Sequence, residues 1–185
     1  MIHPTADVSG LARIGERTKV WHQSQIREHT VIGDDCVIAK NVYIDHHVTI
    51  GNKVKIQNNC SIYQAEISEG VFIGPHVCFT NDKVPRAIDT EGNLKSGGTE
   101  AGDWEISSIR VGKGASVGAH SVLLPGVSIG AFAMIGAGSV VSRNVPDYAL
   151  VYGNPARVQG YVCRCGEKLN TEQKAGDFCL RCEKS

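Results

Sequence analysis

Four of the seven cysteines lie in the C-terminal run YVCRCGEKLNTEQKAGDFCLRCEKS, as Cys163, Cys165, Cys179 and Cys182. The pattern is CxC, thirteen residues, then CxxC, close to the paired knuckles that bind zinc through four thiolates, although CxC is tighter than usual. Four protein ligands leave the metal no open position, so the role expected is structural. A segment this short and polar can hardly bury its own core, and the metal would supply its folding energy. Iron in place of zinc, or a disordered tail of free thiols, are the other readings. The odd cysteine count argues against a disulfide framework. Elsewhere, the chemical capacity lies in seven histidines and in FTNDKVPR at 79–86. No histidine is marked by a Ser or Asp partner at fixed spacing, and His46, His47 and His120 read as solvated corner residues. Asn81 with Asp82 can open a turn, and the Arg86 guanidinium suits a phosphate or a carboxylate.

These residues must be positioned by a repeat. Stepping by six from Ile2 gives Val8, Ile14, Val20, Ile26, Ile32, Ile38, Ile44, Ile50, Ile56 and Ile62, all Ile or Val. Four residues after each comes a small or β-branched one, such as Thr18, Ser24, Thr30, Cys36, Val42 and Cys60. Each such residue falls two before the next aliphatic, so both lie on one face of one short strand. Three hexapeptides then make one triangular coil, and the coils stack by parallel ladders into a β-helix. The phase slips by one residue at Gln64–Glu66 and resumes at Ile67 and Ile73; beyond an interruption it runs from Val111 to Val141. Six or seven coils are expected. Glycines directly after the aliphatic (Gly15, Gly33, Gly51, Gly74, Gly112) are read as supplying turn freedom.

Residues 80–109 break the beat and read as a loop extruded from one coil, mobile in its middle (GNLKSGGTEAGD). The division expected is a β-helix over 1–146, a cap over 147–160 and a metal-binding tail over 161–185. Zero net charge without a basic cluster excludes an electrostatic footprint for nucleic acid. MIHPTADVSG lacks the pattern of a signal peptide and no long apolar run follows, so a cytoplasmic protein without membrane insertion is expected.

The segments VWH (20–22), KIQNNCSIY (55–63), EGVFIGP (69–75), FTNDKVPR (79–86) and PDYALVYGNPAR (146–157) resemble hexapeptide-repeat N-acetyltransferases acting on nucleotide-linked amino sugars. Within them the chain is similar to the UDP-2-acetamido-3-amino-2,3-dideoxy-glucuronate N-acetyltransferase group of bacterial surface-polysaccharide biosynthesis. The resemblance covers about residues 1–160. It implies a left-handed β-helix, a homotrimer with active sites between subunits, acetyl-CoA as co-substrate and a nucleotide amino sugar as acceptor. The chemistry is attack of the sugar amine on the thioester, which needs alignment and oxyanion donors more than a strong base. The resemblance places Asn81 beside the amine as an orienter. The proton is expected to leave through water or the substrate, with His22, in the matching VWH, as the next candidate base. Coil geometry stacks Lys40 under Asn58 and Asn41 under Asn59. With Gln57 and Arg86, these asparagines either line the sugar-nucleotide cleft or only satisfy turn backbone. Gly118, Ala119, Gly136 and Ala137, at corners without bulk, would admit the pantetheine arm, with Asn154 and Arg157 nearer the nucleotide end of the cofactor. A γ-type carbonic anhydrase and a non-catalytic scaffold are the readings from other classes.

Overall fold

A strand two residues long cannot bury itself; it is stable only when the same strand one coil above and below completes its ladder. The computed structural model, which describes residues 1–95, 104–170 and 172–182, is built in this way. Strands of two or three residues alternate with two-residue turns from Asp7–Val8 to Val140–Val141, and no helix occurs among the described residues. They stack into three parallel sheets. The first face carries the seven strands Asp7–Val8, Gln25–Ile26, Tyr43–Ile44, Ser61–Ile62, Cys78–Phe79, Val122–Leu123 and Val140–Val141. The second face has six strands, from Arg13–Ile14 to Ser128–Ile129. The third has eight, beginning at Lys19–Val20 and ending in the hairpin of Ala149–Gly153 and Ala156–Tyr161, the one antiparallel strand pair.

Register follows the sequence arithmetic. Asp7 pairs with Gln25, 18 residues on, whereas Ser61 pairs with Cys78, 17 on, which accounts for the slip at Gln64. Ala65 pairs with Ile109, 44 residues on; 44 less 18 makes the insertion 26 residues, and the coil above it resumes in phase. The third face has eight levels from Ile2, bridged to Val20, up to Val151, about 34 Å of prism at roughly 4.8 Å each. The six or seven coils expected undercount by omitting the entering residue and the closing hairpin.

From Val20 to Val151 every aliphatic at the repeat position is buried, with Phe79 taking one place. The residue four places on is buried with it except where the repeat is broken, after Ile62, Phe79 and Val151, and where it is polar and buried it has a partner. Thr18 Oγ1, Ser24 Oγ and Thr30 Oγ1 donate to the carbonyls of Gly33, Ala39 and Asp45 at 2.6–2.8 Å. Cys36 and Cys60 do the same with sulfur, to Gly51 and Gly74, at 3.1 Å. The corner glycines correct the reading above. Gly15, Gly33 and Gly51 keep ordinary φ; the left-handed residues come two places later, at Arg17, Asp35 and Lys53. A Cβ on Gly74 would stand 2.7 Å from Ala119 N, and one on Gly118 2.5 Å from Ala137 N. Close approach of the next coil, not turn freedom, requires glycine there. No helix of the described residues is long and apolar enough to cross a membrane.

Candidate active site

The corner between the first and second faces is where the chain leaves the prism. Thr80 Oγ1 donates to the Leu123 carbonyl at 2.9 Å, fixing the last residue before departure. The neck of the loop then closes on itself: Ser107 N donates to Asn81 O at 3.0 Å, Asp82 and Ile106 form an antiparallel bridge, and Lys83 N donates to Glu105 O at 3.3 Å. Asn81 is thereby held between two cavities. One, of about 320 Å³, is lined by Asn81, Asp82, Pro85, Arg86, Ala87 and Trp104. The other, of about 440 Å³, is walled mainly by Tyr63, Phe79, Thr80, Asn81, Leu124 and Pro125. Residues 96–103, most of the segment expected to be mobile, lie outside the described residues.

Below the loop the same corner holds a buried carboxylate. Asp45 is 4% exposed and accepts from Tyr43 Oη and His46 Nδ1, each at 2.9 Å, with Arg27 Nη1 at 3.6 Å. A buried charge needs such partners. Hydrogen bonding to Arg27 in turn holds the Glu28 carboxyl down at about 2, and burial raises the Tyr43 phenol. The Tyr43 ring lies 5.2 Å from that of Tyr63, so the network supports a wall of the larger cavity. His46 is therefore a paired residue and not the solvated one expected.

The corner between the third and first faces carries most of the other expected residues. Asn41 Nδ2 donates to Asn59 Oδ1 at 2.8 Å, and Asn59 Nδ2 to His76 Nε2 at 3.2 Å. The His76 ring stacks on His120 at 4.6 Å. Lys40 N donates to Asn58 Oδ1 at 3.2 Å, so the stacking of Lys40 under Asn58 is as read, and Asn58 satisfies turn backbone. Gln57 starts the turn after Ile56, and its backbone N donates to Ile73 O. Gly118, Ala119, Gly136 and Ala137 continue this column upward; Ala119 accepts from Gly138 N. Asn154 sits in the closing hairpin's turn, beside Arg157, whose Nη1 donates to the Ala156 carbonyl at 2.9 Å. His22 lies low on the column, its ring 3.6 Å from that of His3, in a cavity of about 400 Å³ with Thr5, Gln23 and Lys40. Two strands of the first face, Tyr43–Ile44 and Ser61–Ile62, separate its level, Gln25–Ile26, from that of Asn81, which follows Cys78–Phe79. His76, directly before Cys78–Phe79, is level with Asn81.

One chain thus does not bring the expected site together. Asn81 and Arg86 lie at one edge of the first face; the asparagine column, His22 and the small-residue corners lie at the other. Between them the outward residues from Tyr43 upward are Ser61, Cys78, Val122 and Val140, all half-buried and uncharged.

In the tail, the sulfurs of Cys163, Cys165, Cys179 and Cys182 lie within 4.8 Å of one another, the one group of three or more potential ligands among the described residues. Tetrahedral zinc at about 2.3 Å from each sulfur fits that spread. Turns from Gly166 N to Cys163 O and from Cys182 N to Cys179 O form the two knuckles. Backbone donors at Cys165 and Cys179 bring the Cys163 thiol down to about 6, and sulfur partners, Cys165 first, push Cys182 up to about 12. Arg164 lies over the Phe132 ring at 4.8 Å and fastens this unit to the prism.

Residues 11–46, 29–64 and 108–143 match the family described as bacterial transferase hexapeptide (six repeats). The chain belongs to the hexapeptide-repeat family. Over 59 residues this hexapeptide-repeat chain is 66% identical to the dTDP-3-amino-3,6-dideoxy-alpha-D-galactopyranose 3-N-acetyltransferase of Aneurinibacillus thermoaerophilus, covering 32% of this chain and 31% of that protein. The chain spans about a third of the length of the first curated relatives it matches. Among solved structures it is similar to PerB from Caulobacter crescentus in complex with CoA and GDP-perosamine. That match has 28% identity and a TM-score of 0.52 over 86% of this chain and 56% of that one. The N-acyltransferase AntD from Bacillus cereus shares the fold, with a TM-score of 0.67, 21% identity and 82% and 83% of the chains covered.

Sequence reasoning on this hexapeptide-repeat chain missed the Asp45 network, Tyr63 and Trp104. The adjacent Asp45–His46 pair was a visible signal, passed over because a corner histidine is ordinarily solvated. For Trp104, nothing in the sequence says that the return limb of the loop faces Arg86.

Proposed function

We propose that the protein transfers the acetyl group of acetyl-CoA to an amine of a nucleotide-linked sugar, in the cytoplasm, toward bacterial surface polysaccharide. The observation that carries the reading is Asn81, clamped between two cavities at the one place where the stacked frame opens. The similarity to an amino-sugar N-acetyltransferase and to a CoA-bound sugar-nucleotide structure supports the substrate classes. The polysaccharide pathway rests on the resemblance of the motifs.

In this reading the amine nitrogen attacks the thioester carbonyl carbon, the C–S bond breaks, and CoA leaves as thiolate. The Asn81 amide oxygen accepts one amine N–H and aims the lone pair; an amide cannot take the proton, which passes through water or directly to the thiolate. His76 stands nearer the level of the chemistry than His22. The two halves of the site lie at different edges of the first face, which is uncharged from Tyr43 upward, so a second copy on that face places its asparagine and glycine column beside Asn81. Contacts between unlike edges form a ring when the rotation closes, and the homotrimer implied by the resemblance is such a ring. The four cysteines hold zinc as a structural ion.

A thiol-release assay with acetyl-CoA and a panel of nucleotide amino sugars tests the reading. Turnover is expected with an amino sugar, and Asn81→Ala should lose about a hundredfold in kcat, as loss of one positioned polar group does. Unchanged activity in that variant removes the assignment.

A further inference from the structure

We propose that Trp104 and Arg86 form the seat of the nucleoside diphosphate, with the base on the indole and the phosphates on the guanidinium. The proposal rests on the nucleotide-sugar reading and adds where, and by what chemistry, the nucleotide is held.

Three observations point there. Trp104 and Arg86 face one cavity of about 320 Å³, and Asn81 and Asp82 line the same cavity, so a nucleotide in it delivers its sugar to Asn81. Trp104 is half-buried, so folding leaves part of this large apolar residue uncovered. The backbone links from 81–83 to 105–107 hold the adjoining return limb in place, so an anchored segment carries the indole.

Arg86 is also set apart by its charge. Its Nη1 donates to the neighbouring Pro85 carbonyl at 3.3 Å, and no carboxylate lies within ion-pair distance among the described residues. A neighbouring cation of this limb, Lys83, stands 3.6 Å from Glu105 and is already compensated. A guanidinium without a counter-ion among the described residues, beside a partly uncovered indole, matches a ligand that carries an aromatic base and a diphosphate. The second cavity, walled by Tyr63, Phe79, Leu124 and Pro125, has no arginine and lacks that match. Because any base presents a π-face to stack, the seat discriminates weakly between uracil and thymine and strongly for the phosphates.

The chain has two tryptophans, so the fluorescence of Trp21→Phe reports Trp104 alone. UDP and dTDP should each quench it saturably, with midpoints within a few-fold of each other. Uridine should need about tenfold more, and Arg86→Ala should weaken UDP about tenfold, the scale of one charged contact. Trp104→Ala, followed by calorimetry, should weaken UDP by about tenfold. Absence of quenching at millimolar nucleotide overturns the proposal, as does undiminished UDP binding by Trp104→Ala. UDP binding without thiol release from any amino sugar would keep this seat and remove the acetyl transfer. Acetyl transfer with an unchanged sugar-nucleotide KM in Trp104→Ala would do the reverse.

Discussion

Cys60 makes with sulfur the bond that Ser24 and Thr30 make with oxygen, donating to a corner carbonyl from inside the prism. Burial raises its pKa from 9.0 to about 11, so the folded state keeps a proton that the unfolded state releases earlier. The sign follows: the stabilisation is full below pH 9 and is lost as pH rises through 11. The urea midpoint should therefore fall between pH 8 and 10.5, and Cys60→Ser, which keeps the bond and does not titrate there, should flatten part of that fall. Equal slopes in both proteins would refute the assignment. The buried class of this position was legible, because the repeat sorts side chains by size; which neighbours satisfy a polar one was not. Asp45 shows the limit. Its partners were within the period's reach, since Arg27 lies 18 residues before it in the same column and Tyr43 two before it, but no period encodes that the carboxylate is buried.

At the scale of elements, the strands were legible because one side-chain class fills one position coil after coil. The glycines were assigned to the right places for the wrong reason, since the next coil's approach is a property of the stack and not of the turn. The tail is an element of another kind. Among the described residues its buried set is Val162, Cys163, Leu169 and Cys179, too little apolar surface to order it. Purified protein should carry about one zinc per chain by elemental analysis. The double substitution Cys163→Ser and Cys182→Ser should bring that below about a tenth, with the β-sheet circular dichroism of the prism retained. Full zinc in the double variant would discard the site.

For the molecule as a whole, the unread part of the sequence is how copies meet. Asn81 and the small-residue column were both named from the sequence, yet their separation across the first face follows from which corner each occupies, which the beat alone does not number. If the site is shared, two damaged chains can repair each other. Asn81→Ala and Ala137→Trp should each be inactive alone, and co-assembly of the two should restore a fraction of the activity, because some interfaces receive both intact edges. No recovery on mixing would confine the site to one chain. The neck at Asn81 and Ser107 has a consequence of a different order. Because the coil above resumes in phase after 26 inserted residues, the frame neither measures nor constrains what the neck carries. The segment between is a detachable cassette: lineages can lengthen, shorten or trade it without renegotiating a single ladder, so new acceptors can be tried on an old prism.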